Sequence, residues 1–68
     1  MYNKKLQKIF DLNSIRVGDL IKIEPDNIEG ELMPKPDYSN ENTIIIKLKS
    51  GYNVGIEFKN STKITKIK

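Results

Sequence analysis

The chain has 68 residues, with 12 Lys and Arg against 9 Asp and Glu for a net charge of +3, and it contains no Cys and no His. Those absences exclude a disulfide framework, a thiolate nucleophile, a zinc knuckle and a Ser-His-Asp triad. Its 25 apolar and aromatic side chains can build one small core, with no room for a second domain or a deep substrate pocket.

At the start of the chain, Leu6, Ile9 and Phe10 fall at i, i+3 and i+4, which predicts a short helix over residues 3–10 with Asn3 as its N-cap. Two turns are marginal alone, so this helix needs its apolar stripe docked on the rest of the chain. Behind the positively charged start there is no apolar stretch of signal-peptide length, and the longest aliphatic run is Ile44-Ile45-Ile46. A cytoplasmic protein that does not engage a membrane is the expectation.

From Ile15 onward the period changes from 3.6 to 2. Arg16-Val17-Gly18-Asp19 reads as a turn leading into a strand in which Ile21 and Ile23 alternate with Lys22 and Glu24. Pro25-Asp26-Asn27 supplies the next turn. Residues 28–33 read as the return strand, with Ile28 and Leu32 inward and Gly30 between them on the same face, where a bulge or tight bend is expected. Residues 33–41 then form a loop, because Pro34 and Pro36 remove ladder donors and the polar run after them has no period.

The next hairpin has the strongest pattern. Ile44, Ile46 and Leu48 share one face, Ser50-Gly51 suits a two-residue primed turn, and Tyr52, Val54, Ile56 and Phe58 alternate on the way back. A last strand covers residues 62–67, where Ile64 and Ile67 are three apart and call for a bulge or an end that curls away. Five short strands with an interior glycine predict a mainly β fold, a small five-stranded SH3-like antiparallel barrel with a short N-terminal helix. The chain divides into residues 1–13, helix and lead-in, and residues 14–68, the small β-barrel domain.

The constellations that could carry chemistry are weak. Glu29 and Glu31 share a strand face opposite Ile28 and Leu32 and are read as solvated rather than as an acid–base pair. Asp37, Ser39, Glu41 and Asn42 gather oxygens in one loop but lack the glycine and the spacing of a calcium loop. Gly51-Tyr52-Asn53-Val54-Gly55 fails as a phosphate loop, since no helix and no Lys-Ser/Thr pair follow. Lys4, Lys5 and Lys8 at one end and Lys63, Lys66 and Lys68 at the other could form a phosphate stripe, yet few aromatics lie near them and eleven of the twelve cations are Lys. Ile45 is the apolar exception on the outer face of its strand, placed for contact with the helix or with a partner chain.

Four segments together resemble a known family. Arg16-Val17-Gly18-Asp19, Glu29-Gly30-Glu31-Leu32-Met33-Pro34, Thr43-Ile44-Ile45-Ile46-Lys47-Leu48 and Ser50-Gly51-Tyr52-Asn53-Val54-Gly55-Ile56 are similar to the N-terminal domain of the D subunit of the archaeal glutamyl-tRNA(Gln) amidotransferase. The resemblance covers about residues 16–67. It implies an enzyme of two subunits that makes Gln-tRNA(Gln) from Glu-tRNA(Gln). The D subunit hydrolyses glutamine through a Thr-Gly-Gly-Thr motif, and the E subunit uses ATP and magnesium to activate the tRNA-bound glutamate. This chain has no Gly-Gly pair, so no catalytic, cofactor-binding or metal-binding residue carries over.

The resemblance therefore implies a non-catalytic accessory and assembly domain of a glutamine-hydrolysing, tRNA-dependent amidotransferase. Its partners would be the catalytic part of the D subunit, together with the E subunit, and a tRNA contact is possible. The candidate contacts are Pro34, Pro36 and Tyr38 in the proline loop, and Ile45, Asn53 and Glu57 on one strand face. The chain stops about where the family's linker would begin, so an excised N-terminal domain is the expectation. The alternative is a stand-alone small barrel that binds tRNA or other RNA.

Overall fold

The computed structural model describes residues 2–35 and 42–67. It contains one helix, α1 (Lys4–Leu12), and five strands, β1 (Leu20–Glu24), β2 (Ile28–Leu32), β3 (Thr43–Lys47), β4 (Asn53–Glu57) and β5 (Lys63–Lys66). Asn3 caps the helix: its side-chain oxygen accepts the Leu6 N–H at 2.8 Å. The other end closes on Ser14, whose φ of 57° lies in the left-handed region. There Ile15 N–H donates to Phe10 C=O at 2.8 Å and Ser14 N–H to Asp11 C=O at 3.2 Å, the paired bonds of a Schellman ending.

The five strands form one antiparallel sheet in the order β4-β3-β2-β1-β5. Ile21 and Ile23 of β1, Leu32 of β2, Ile44 and Ile46 of β3 and Ile64 of β5 face inward and are buried. Tyr2, Leu6 and Phe10 from the helical segment, with Ile15, complete the same core. The Tyr2 and Phe10 rings meet edge to face, with centroids 5.1 Å apart. The helix thus finds the apolar surface that its two turns require.

Two expectations change. The sheet is open, not a closed barrel: among the described residues no pairing joins β4 to β5, and these are its two edges. Closure would need β5 to pair with β4 as well as with β1. Thr62 N–H donates to Lys59 C=O at 2.9 Å and Lys59 N–H to Thr62 Oγ1 at 2.9 Å. This turn leads into β5, which among the described residues pairs only with β1, Ile23 opposite Ile64. The β3–β4 connection also has three residues rather than two. Leu48 N–H donates to Tyr52 C=O at 2.7 Å and Gly51 N–H to Leu48 C=O at 2.8 Å, with Gly51 at φ 99°. That is a turn followed by a left-handed glycine, not a primed two-residue turn.

Smaller differences follow from position. Tyr52 alternates with Val54 but is exposed, because it stands at the hairpin end beyond the core. Gly30 marks no bulge; β2 pairs with β1 without interruption, and the missing side chain admits Ile46 instead. Ile67 lies past the end of β5 and is exposed, which accommodates its spacing from Ile64.

Candidate functional site

The pleat places Ile45, Asn53 and Glu57 on the outer face of the β3–β4 hairpin, opposite the face that packs on α1. Register sets Ile45 against Gly55, Lys47 against Asn53 and Thr43 against Glu57. Gly55 leaves a shallow place between its exposed neighbours Asn53 and Glu57, and Thr43 and Ile45 border it. A Cβ added there would stand 3.0 Å from Thr43 Cγ2 and 3.6 Å from Ile45 Cδ1. Pro34 is exposed just beyond β2, while Pro36 and Tyr38 lie outside the described residues, as do Asp37, Ser39 and Glu41 of the oxygen-rich loop.

Ile45 meets the N-terminal segment through its backbone. The Tyr2 hydroxyl donates to Met33 C=O at 2.6 Å and accepts the Ile45 N–H at 3.1 Å, while Met33 N–H donates to Ile45 C=O at 2.9 Å. The phenol therefore stands inside the β2–β3 ladder where a direct Ile45–Met33 bond would otherwise form. Burial pushes the phenol's pKa up, and the Ile45 N–H opposes that shift.

The charges of the outer face are arranged in opposite-sign neighbours across the strands. Lys22 stands opposite Glu29, Glu31 opposite Lys47, and Glu24 opposite Lys63. Lys66 reaches Asp19 at 3.5 Å and donates to Ser14 C=O at 3.2 Å. The Arg16 N–H, at 2.8 Å from Asp19 Oδ2, is the main cause that lowers the Asp19 pKa. Desolvation opposes this, and the charge of Lys66 adds to the lowering. The C-terminal group of lysines thus has acidic neighbours at Lys63 and Lys66, and Lys68 lies outside the described residues. Lys4, Lys5 and Lys8 on α1 are exposed, with Lys5 Nζ 5.5 Å from the centre of the Phe58 ring.

Glu29 and Glu31 are both exposed. Among the described residues no group of three or more His, Cys, Asp or Glu is placed to hold a metal ion. No helix there is long and apolar enough to cross a membrane.

Sequence reasoning did not reach the free side of β4. Leu48 pairs by hydrogen bond with Tyr52, and Phe58 N–H donates to Asn42 C=O at 2.7 Å. The register between them is unbroken, so Val54 and Ile56 direct their backbone groups to β3. Asn53, Gly55 and Glu57 direct theirs away from it. No side-chain pattern signals this; it follows only from the parity of the pairing.

The model for the GatD N-terminal domain family matches residues 15–67, which include all five strands. The chain belongs to the GatD N-terminal domain family. Among curated proteins it is similar to the D subunit of glutamyl-tRNA(Gln) amidotransferase from Methanosphaera stadtmanae, 52% identical over 97% of this chain and 15% of that protein. The corresponding protein of Methanobrevibacter smithii is 37% identical over 88% of this chain and 14% of its own length. That of Sulfolobus acidocaldarius is 37% identical over 87% and 14%. The chain thus spans about one-seventh of these relatives. The GatD N-terminal match begins after α1, whereas the alignment with the Methanosphaera protein covers 97% of the chain.

Proposed function

We propose that this chain is the non-catalytic accessory domain of a glutamine-hydrolysing amidotransferase that converts Glu-tRNA(Gln) to Gln-tRNA(Gln), and that its work is assembly. It docks on the catalytic part of the D subunit, and on the E subunit. ATP and magnesium act on the latter, away from this domain. The observation that carries the reading is the match of residues 15–67 to the GatD N-terminal family, with D subunits of glutamyl-tRNA(Gln) amidotransferase among the relatives. The absence of a Thr-Gly-Gly-Thr motif and of His and Cys from the sequence agrees with chemistry housed elsewhere in the enzyme. The strand order, in which the last strand returns beside the first, supports an SH3-like reading of the sheet. Co-purification of the tagged chain with the remainder of the D subunit, or with the E subunit, tests the proposal. Retention of either partner supports it, and failure of both to bind defeats it.

A second reading has one observation in its favour. Lys4, Lys5 and Lys8 are exposed on α1, so tRNA could be held there through its phosphates. Such binding must weaken steeply as salt rises from about 50 to about 200 mM. A tRNA titration without low-salt binding removes this alternative.

A further inference from the structure

We infer that the free side of β4 is a docking slot for an extended polypeptide segment that carries lysine or arginine beside aliphatic residues. This deepens the assembly reading and rests on it for the identity of the partner, but the slot is argued from its own geometry. Among the described residues the outward N–H and C=O groups of Asn53, Gly55 and Glu57 form an unpaired edge, with β4 the end strand of the sheet. Such an edge pairs with an added strand. The other edge, β5, is guarded by Lys63 and Lys66, the residues that discourage strand addition. β4 itself contains no lysine.

A groove of about 410 Å³ lies along this edge, between β4 and the β1–β2 turn. Ile23, Ile28 and Ile56 give it an apolar lining, and Glu24, Asp26 and Glu57 give it three carboxylates. Among the described residues that line it, Lys59 is the one cation. An added strand sends alternate side chains to opposite faces, so one set meets the isoleucines and the other the carboxylates. Charge complementarity therefore selects a basic, aliphatic segment over an acidic one. Gly55, at the middle of the edge, puts no side chain in the way of an approaching backbone.

The test is amide NMR of the 68-residue chain titrated with two blocked peptides. Both have valine–threonine–valine at the centre; one is flanked by lysines and the other by glutamates. The lysine peptide is expected to shift the amides of Asn53, Gly55 and Glu57 and to bind about tenfold more tightly than the glutamate peptide. The double variant D26K/E57K, exposed at both positions, is expected to reverse that preference. Gly55→Pro removes an edge donor without touching a β3 bond and is expected to abolish the shifts; if it does not fold, D26K/E57K decides alone. Equal binding of the two peptides, or shifts away from β4, overturns the inference. The same variants in the co-purification separate the two proposals. Peptide binding by a chain that retains neither partner keeps the slot and defeats the assembly reading. Co-purification unaffected by D26K/E57K, with no preference between peptides, keeps assembly and defeats the slot.

Discussion

Gly30 of β2 leaves the space that the Cγ2 methyl of Ile46 in β3 fills. A Cβ at position 30 would overlap that methyl and stand 2.6 Å from the Lys47 carbonyl oxygen. The inner face has no slack here, since Ile46 is fully buried. Gly30→Ala is therefore expected to lower the unfolding free energy by about 1–3 kcal/mol, the usual cost of overpacking. A shift of the urea midpoint without a change of slope checks it. Gly55→Ala, with its nearest contact at 3.0 Å to a side-chain methyl, is expected to cost less.

The phenol between β2 and β3 gives a second prediction. Tyr2→Phe keeps the edge-to-face contact with Phe10 and removes only the hydroxyl, leaving Met33 C=O and Ile45 N–H without their bridge. The expected cost is about 1–3 kcal/mol by chemical denaturation. A pH dependence accompanies it. The folded-state pKa is raised by burial, so this group's contribution is complete below the ordinary phenol range and is lost as pH rises through the folded value. The phenylalanine variant should lose less stability than the wild type on alkaline titration.

Asp19 has the opposite sign. Its folded pKa lies below the ordinary carboxylate value, chiefly through the Arg16 N–H. The contribution is present above the unfolded carboxylate pKa and fades as pH falls through the folded one. Asp19→Asn should therefore narrow its stability gap from the wild type on acidification. The Arg16 N–H outweighs the opposing desolvation, and Lys66 adds to the lowering through its charge and its hydrogen bond, so Lys66→Met should weaken the depression without abolishing it. A carboxyl NMR titration of Asp19 in that variant reads the depression that remains.

Leu6 is completely buried where α1 meets the sheet. Leu6→Ala is expected to cost about 2–5 kcal/mol, the range for large-to-small changes in a packed core. Two turns cannot hold themselves, so helical circular dichroism should fall before the sheet signal as temperature rises.

Much of the architecture was legible because it rests on short-range rules. Leu6, Ile9 and Phe10 with Asn3 announce the helix, and the alternation through Ile21, Ile23, Ile44 and Ile46 announces the inner faces of β1 and β3. Closure of the sheet was not legible. It depends on whether β5, already paired with β1, also reaches β4, and the same alternation serves either arrangement. Ser50-Gly51 was legible as a turn but not as the last part of a three-residue connection, since Gly51 satisfies either geometry. Of the candidate contacts, the common face of Ile45, Asn53 and Glu57 follows from parity along each strand once the register is known. The outward backbone groups beside them belong to no side chain, and composition carries no trace of them.

The groups that the Tyr2 hydroxyl joins lie 31 and 43 positions downstream of it. The phenol has no seat until β2 and β3 have come together, so its docking must wait for a pairing in which it takes no part as a strand. Contacts of such sequence separation close slowly. The segment ahead of α1 is therefore a latch across β2 and β3, closing on two strands that have already met.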